Sequence, residues 1–165
     1  MDTLVLLEDR FNDENIIAIR EVRPDRVIYL TTLKGIHAGY FEDFRDFMAY
    51  EFPEVQVEVR KIDFVAFDAM HRYFAELRKP VQVHLNSSNA LMSILATGLC
   101  DRFDLEGIYV DVTQNALYHI NRDGTKEQKG ILKSLDIEDY IDLAGGVILR
   151  ATSEQHLAEP YVQIV

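Results

Sequence analysis

The fold is decided by one stretch in the middle of the chain, in which a strand pattern, a polar turn and an apolar helix pattern follow each other: Val81-Gln82-Val83-His84-Leu85, Asn86-Ser87-Ser88-Asn89 and Ala90–Cys100. Apolar residues alternate through the first segment, and the last segment contains no charged side chain. A buried strand that passes through a short polar turn into a helix is the repeating unit of parallel α/β sheets. The stretch therefore predicts an α/β protein.

The same alternation extends to both sides of this stretch. Predicted strands lie at Thr3–Leu7, Arg26–Thr31, Val55–Val59, Val81–Leu85 and Leu105–Val112. Amphipathic helix patterns separate them, and prolines at positions 24, 53 and 80 punctuate the chain between helix and strand patterns. Strands that alternate with helices predict a Rossmann-like, doubly wound, mostly parallel sheet flanked by helices.

The last third of the chain carries weaker patterns. Ala116–Ile120 follows turn-forming residues and predicts an antiparallel hairpin at one edge of the sheet. Residues 121–124 predict a turn and Ile131–Leu143 a helix, and Gly145-Gly146 precedes two short apolar runs. We predict a single domain over residues 1–165, with a core of about 1–120 and a C-terminal extension of about 121–165.

Charge argues against a nucleic-acid groove. The chain has 28 acidic and 17 basic residues and a formal net charge of −11. Such a field repels DNA and RNA at long range, although it does not exclude a small anion held by backbone amides at a helix N-terminus. The composition therefore leaves a nucleotide pocket open as a hypothesis.

The expected compartment is the cytoplasm. No apolar run approaches the roughly 18–20 residues that span a bilayer, so no membrane segment is expected. The first residues lack the basic region and cleavage site of a signal peptide. Cys100 is the only cysteine, so no intrachain disulfide can form.

Topology alone places the candidate site. Ligands of open parallel sheets bind beyond the carboxyl ends of the strands, where the strand order reverses. In a Rossmann order that point lies between the first and fourth strands, so the loops at residues 8–13 and 86–89 are expected to converge there. Small Asn and Ser side chains in the second loop suit a phosphate or carboxylate at the following helix N-terminus. The alternative, which is the commoner use of such residues, is that Asn86 or Asn89 only caps the helix.

The first loop is acidic, with Glu8, Asp9 and Asp13 around a single cation, Arg10. Three carboxylates could hold a magnesium ion. A solvated, acidic helix start is favoured instead, because Asp and Glu are common in the first turn of helices.

No catalytic arrangement is evident. Ser87 and Ser88 follow a strand and precede a helix, but the glycines of a nucleophile elbow are missing. The five histidines have no metal-ligand spacing, and His84 is interpreted as a hydrogen-bonded core residue. No phosphate-binding glycine motif for a dinucleotide or ATP is present. We therefore expect no catalytic residue, no metal and no cofactor.

Four segments of the chain carry a family resemblance: Arg23–Val27, Val83–Ser93, Gly107–Tyr118 and the closing segment Asp136–Leu143. Together they resemble the CRISPR-associated Rossmann-fold (CARF) sensor domains, and within that family the group fused to a restriction-like nuclease. In this order and at these spacings, the segments give a likeness that covers most of residues 1–145. The turn departs from the family motif, since Ser87 and Ser88 replace two glycines and Ala90 replaces a lysine.

The resemblance implies a homodimer that binds a cyclic oligoadenylate across its two-fold axis in antiviral signalling. Carried over by position, the ligand-binding candidates are Asp9, Arg10, Phe11 and Asn12 in the first loop and Asn86, Ser87, Ser88 and Asn89 in the second. The altered turn keeps a second hypothesis open, a structural or partner-binding module that no longer binds nucleotides. A third is a ring nuclease that cleaves the messenger, in which only Arg10 and backbone amides could stabilise the developing charge.

Overall fold

The computed structural model of the protein describes residues 2–62, 67–120, 125–130, 135–143, 147–148 and 162–163. Within these residues one sheet has seven strands in the spatial order β3-β2-β1-β4-β5-β6-β7. They are β1 (Thr3–Leu7), β2 (Arg26–Thr31), β3 (Gln56–Lys61), β4 (Val81–His84), β5 (Glu106–Asp111), β6 (Ala116–Ile120) and β7 (Lys126–Gly130). Strands β1 to β5 are parallel, whereas β6 and β7 are antiparallel to their neighbours. The predicted Rossmann-like α/β fold with an antiparallel edge is confirmed.

Helices cover both faces of this sheet. Those in the described residues are α1 (Asp13–Val22), α2 (Leu33–His37), α3 (Tyr40–Glu51), α4 (Phe67–Glu76), α5 (Ala90–Phe103) and α6 (Ile137–Leu143). Alternate residues of β1 divide between two cores, since Leu4 and Leu6 pack with α1 and α3 while Val5 and Leu7 pack with α4 and α5. The strand pattern of period two is therefore buried on both faces, as expected for a central parallel strand.

Burial fixes the position of the central strands. The side chains of β1 from Leu4 to Leu7 are 0% exposed. Burying one large apolar side chain contributes about 1.5–3 kcal/mol, so a shift of this strand by one residue would cost several such contributions. The loop after β1 consequently starts from a rigid point at the carboxyl edge of the sheet.

Two elements carry no hydrophobic pattern, and the sequence analysis did not predict them. All five residues of β7 are exposed, and the strand is held by its backbone ladder to β6, from Ala116 opposite Gly130 to Ile120 opposite Lys126. Helix α2 has only five residues and begins where the Thr32 side chain accepts a hydrogen bond from the Gly35 amide. Strand β7 thus depends on backbone hydrogen bonds and α2 on a side-chain cap, rather than on an apolar face.

The predicted helix Ile131–Leu143 is wrong at its start, because α6 begins at Ile137 and Leu135 and Asp136 precede it. Reciprocal hydrogen bonds fix this start: Asp136 Oδ1 accepts from the Asp139 amide at 2.9 Å, and Asp139 Oδ2 accepts from the Asp136 amide at 3.0 Å. Such a capping box marks the N-terminal end of a helix. Residues 131–134 lie outside the described residues.

The end of the chain contributes a second, small sheet. Strands β8 (Val147–Ile148) and β9 (Val162–Gln163) pair antiparallel and fall within the two predicted apolar runs. The predicted turn at 121–124 and Gly145-Gly146 lie outside the described residues, and the division into core and extension stays a prediction. None of the helices in the described part of the chain is long and apolar enough to cross a membrane.

Candidate functional site

The two predicted loops meet at the point where the strand order reverses. Strands β1 and β4 are neighbours in the centre of the sheet, and the chain leaves both at the carboxyl edge. The Ser87 hydroxyl, after β4, donates a hydrogen bond of 2.6 Å to the backbone carbonyl of Glu8, after β1. The convergence expected from topology is therefore a direct contact.

Asn86 anchors the second loop to the next strand. Its side-chain amide donates to the Val110 carbonyl at 2.8 Å, and its Oδ1 accepts from the Val110 amide at 2.8 Å. The residue is 5% exposed. Because both ends of the amide are engaged by the backbone, Asn86 continues the hydrogen bonding of β5 beyond the end of β4.

The rest of this loop starts helix α5. The Asn89 side chain accepts from the Leu91 amide at 3.1 Å, so the capping alternative holds for this residue. The Ser87 hydroxyl also accepts from the Asn89 amide at 3.1 Å. Ser88 is exposed. The positive end of a helix of 14 residues thus faces the loop.

Asp9 and Asn12 hold the first loop in shape from inside. Asp9 Oδ2 accepts from the Asn12 amide at 3.1 Å, and Asn12, which has a left-handed φ of 56°, precedes helix α1. The Asn12 side chain does not cap that helix; its Oδ1 accepts from the Tyr29 hydroxyl and from Asn15 Nδ2, both at 2.9 Å. Both Asp9 and Asn12 are buried.

The expectation of a solvated acidic loop is therefore wrong for two of its three carboxylates. Asp9 is 7% exposed, and Glu8 is 6% exposed. Glu8 Oε2 accepts from the hydroxyls of Thr31 and Thr32, both at 2.9 Å, and from the Thr32 amide at 2.7 Å. These donors come from β2 and the residue after it, a pairing that no spacing along the sequence indicates.

Arg10 and Phe11 form the exposed part of the first loop. The Arg10 guanidinium carbon lies 5.1 Å from the centroid of the Phe11 ring, a cation–π arrangement. Phe11 is 64% exposed. A cation and an aromatic ring are thus exposed on the loop whose first residue, Glu8, contacts the turn before α5.

Glu14, at the start of α1, is a site residue that the sequence analysis did not single out. Burial raises its pKa to about 7, and the charges of Asp13, Asp9 and Asp111 act in the same direction, while hydrogen bonding with Asn86 opposes them. Burial also raises the pKa of Asp13. At neutral pH this edge of the sheet therefore carries less negative charge than a count of its carboxyls suggests.

His84 is buried on β4, next to the start of the second loop. Its Nδ1 is 2.8 Å from Asn15 Oδ1, and Asn15 Nδ2 donates to the Leu7 carbonyl and to Asn12. The Asn15 oxygen is thereby turned toward the ring, so Nδ1 carries the proton. Burial lowers the pKa of His84 to about 3, and its Nε2 has no hydrogen-bond partner. The structure thus places His84 in the core with one hydrogen bond.

Two cavities lie away from the loops. One of about 740 Å³ opens at the amino edge of the sheet, where Lys79, Gln82 and Glu106 line it. Another of about 980 Å³ is lined by Arg20, Glu51 and Asp139. No group of three or more Asp, Glu, His or Cys side chains in the described residues is arranged to hold a metal ion.

Solved structures share this architecture. Can2 from Sulfobacillus thermosulfidooxidans, solved with cyclic tetra-adenylate, matches 92% of this chain and 43% of its own at a TM-score of 0.76 and 17% identity. Protein VC1899 from Vibrio cholerae matches 88% of this chain and 40% of its own at a TM-score of 0.74 and 12% identity. A type III CRISPR defence DNA nuclease activated by cyclic oligoadenylate matches 93% of this chain and 25% of its own, with a TM-score of 0.67 and 20% identity.

This chain spans less than half the length of each of these three proteins. Neither a protein-family model nor a curated protein matches its sequence. The comparisons establish architecture: the chain has the same Rossmann-like α/β fold as a part of Can2, of VC1899 and of the type III CRISPR nuclease.

Proposed function

We propose that this chain is a ligand-sensing, CARF-like domain that binds a cyclic oligoadenylate or a related nucleotide at a homodimer interface in CRISPR-linked antiviral signalling. The observation that carries the proposal is the contact between the Ser87 hydroxyl and the Glu8 carbonyl, which joins the two loops at the switch point of the sheet. Of the proteins that share the fold, Can2 was solved in complex with cyclic tetra-adenylate, and the type III CRISPR nuclease is activated by cyclic oligoadenylate. The likeness to the nuclease-fused group and a cytoplasmic location belong to the same proposal.

The exposed groups at the joined loops suit a nucleotide. The N-terminus of α5 supplies a positive partial charge for a phosphate, and Arg10 supplies a formal one. The exposed Phe11 ring offers a face on which a base can stack, an interaction worth about 1–3 kcal/mol in single-strand binders. Ser88 adds an exposed hydroxyl at the turn.

Acidity is less of an obstacle than the net charge of −11 suggests. The carboxylates of Glu8 and Asp9 are directed into hydrogen bonds with the protein. Glu14, with a pKa raised to about 7 by burial and neighbouring acids, is partly protonated near neutral pH. The anionic ligand therefore meets Arg10 and backbone amides rather than three solvated carboxylates.

Homodimerisation is supported by the outer face of α5. Leu91 is 51% exposed and Ile94 is 69% exposed on a helix that has no charge between Ala90 and Cys100. This face continues directly from the turn, so a second copy packed on it brings two turns together. Ile94→Glu is expected to convert the dimer to a monomer in sedimentation velocity, whereas the exposed Thr97→Ser leaves it a dimer. A wild-type monomer at all concentrations would contradict the dimer.

Ligand binding is tested by titrating cyclic tetra- and hexa-adenylate while following the melting temperature. We expect the wild type to be stabilised and Arg10→Ala to lose the shift, while Arg45→Ala, which removes an exposed cation on α3, keeps it. Asn86→Ala is less informative, because it also breaks two hydrogen bonds to Val110. No shift with any ring size at about 1 mM ligand would exclude this ligand class.

A second candidate, a structural or partner-binding module, is favoured by one observation. The side chains of Asn86, Ser87 and Asn89 are all engaged within the protein, and Ala90 stands where the resembling family has a lysine. The titration above decides between the two. The ring nuclease ranks third, because burial lowers the pKa of His84 to about 3 and the ring lies in the core. Formation of a linear product from labelled cyclic tetra-adenylate would instead favour the ring nuclease.

A further inference from the structure

Glu8 joins three loops at the carboxyl edge of the sheet. Its backbone carbonyl accepts from the Ser87 hydroxyl, in the turn after β4. Its carboxylate accepts from Thr31 at the end of β2 and from Thr32, the residue that follows. The residue itself is buried and begins the loop after β1. Glu8 thus links the loops after β1, β2 and β4 through its carboxylate and its backbone carbonyl.

Helix α2 rests directly on this carboxylate. The Thr32 hydroxyl donates to Glu8 Oε2 at 2.9 Å and accepts from the Gly35 amide at 2.9 Å, so one hydroxyl links the carboxylate to the first turn of the helix. Gly35 is buried, and a Cβ atom at this position would overlap Glu8 Oε2. Only glycine lets the helix approach so closely.

The opposite side of α2 is open. Leu33 is 51% exposed, and Lys34 and His37 are exposed as well. This surface of Leu33, Lys34 and His37 is apolar and basic in a chain that is acidic as a whole. A change in the position of α2 on the Glu8 carboxylate would therefore alter this surface, which differs chemically from the acidic remainder of the chain.

We propose that Glu8 is a positioning residue that couples the Asn86–Asn89 turn to helix α2, so that occupancy of the turn is transmitted to the surface of Leu33, Lys34 and His37. The path runs from Ser87 through Glu8 and Thr32 to Gly35, and each step is a hydrogen bond of 2.6–2.9 Å. The ligand that triggers it rests on the proposed function, but the coupling itself does not.

The coupling is tested without ligand by Ser87→Ala, which removes the donor to Glu8, with the exposed Ser88→Ala as the matched control. The readout is hydrogen exchange of the Gly35 and Ile36 amides, which bond to Thr32. We expect Ser87→Ala to speed their exchange about threefold to tenfold, and Ser88→Ala to leave it unchanged. Faster exchange in the turn alone, with Gly35 and Ile36 unchanged, would overturn the proposal.

The reverse direction is tested at Thr32. Because coupling free energies are reciprocal, Thr32→Val, which removes the shared hydroxyl, should speed exchange of the Asn89 amide bonded to Ser87. Thr32→Ser keeps the hydroxyl and should restore the wild-type rate. Equal rates for the valine and serine variants would contradict a path through this hydroxyl.

Cyclic tetra-adenylate then separates the two proposals. Protection of residues 86–93 together with 32–38 supports both, and Thr32→Val should keep the first and lose the second. Protection of 86–93 alone in the wild type leaves the proposed function standing and overturns the coupling. Protection of neither segment counts against the proposed function, and the ligand-free variants then decide the coupling.

Discussion

The phenolic hydroxyl of Tyr29, on β2, donates a hydrogen bond of 2.9 Å to Oδ1 of Asn12, the residue that precedes α1. The same hydroxyl accepts from the backbone amide of Asp9 at 3.1 Å. The ring below it packs against Phe41 and Phe44 of α3. One side chain thus holds the loop after β1 from beneath and is itself fixed by the core.

Tyr29→Phe should therefore destabilise the protein although the ring is retained. The change leaves the Asp9 amide without its buried acceptor and Asn12 Oδ1 with one donor, Asn15, instead of two, at a cost of about 1–3 kcal/mol in the free energy of unfolding. Tyr50→Phe is the control, since Tyr50 is 79% exposed and its hydroxyl is in water. Urea denaturation measures both; equal stability of the two variants would contradict the role assigned to Tyr29.

Glu14 predicts a pH dependence of stability with a definite sign. Burial, followed by the charge of Asp13, raises its pKa to about 7 from 4.5. The folded state then binds the proton more tightly than the unfolded state, so its contribution is present below pH 4.5 and is lost as the pH rises through about 7. The stability of Glu14→Gln relative to the wild type should therefore rise by about 2 kcal/mol between about pH 5 and about pH 8.

The matched control for that experiment is Glu54→Gln, which removes an exposed carboxyl before β3. It should keep the wild-type profile. Burial also raises the pKa of Asp13 and lowers that of His84, and both effects act alike on the wild type and on Glu14→Gln, so they cancel in the difference. A stability difference between the two proteins that stays constant from about pH 5 to about pH 8 would refute the assignment.

Arg20 and Asp139 make a two-pronged ion pair that fastens α6 to α1, at 2.9 Å and 2.7 Å. Burial opposes ionisation of Asp139, but hydrogen bonding and charge from Arg20 leave its pKa lowered. Arg20→Ala strands this carboxylate and should cost about 3 kcal/mol. Arg45→Ala breaks the exposed pair with Asp46 and should cost less than about 1 kcal/mol. Urea midpoints compare them; equal losses would contradict the difference in burial.

Ala90 offers a gain-of-function test of the ligand site. It is exposed at the first position of α5, where the resembling family carries a lysine. Ala90→Lys should tighten binding of cyclic tetra-adenylate about tenfold, with a gain that shrinks at high salt. Gln128→Lys adds the same charge on the exposed strand β7, away from α5, and should change affinity little. Calorimetry measures both, and an equal gain from Gln128→Lys would indicate a non-specific charge effect.

The fold was predictable because the central strands are buried on both faces. Leu4 to Leu7 are all buried, and so are three of the four residues from Val81 to His84. Such short, mainly apolar runs can be recognised in a single sequence. Strand boundaries agree with the structure within two residues. Strand β7 was not visible, because Lys126–Gly130 has no apolar side chain and is defined only by its backbone partner.

The place of the candidate site was predictable, but the direction of its side chains was not. In the sequence alone, nothing distinguishes the three acidic residues Glu8, Asp9 and Asp13. Folding brings distant partners to the first two: Thr31, 23 residues from Glu8, donates to the Glu8 carboxylate, and Tyr29, 20 residues from Asp9, accepts from the Asp9 amide. Only the donor to the Asp9 carboxylate, the Asn12 amide, is local. No local spacing encodes the distant partners, so burial of the first two acids could not be anticipated.

Gly35 gives this arrangement an evolutionary signature. Any larger residue at this position would push against the carboxylate of Glu8, and a shorter residue at position 8 would leave the helix without its seat. Natural selection on one position is thereby tied to the other. Descendants of a common ancestor should keep glycine at 35 and glutamate at 8 as a pair, or should lose both together.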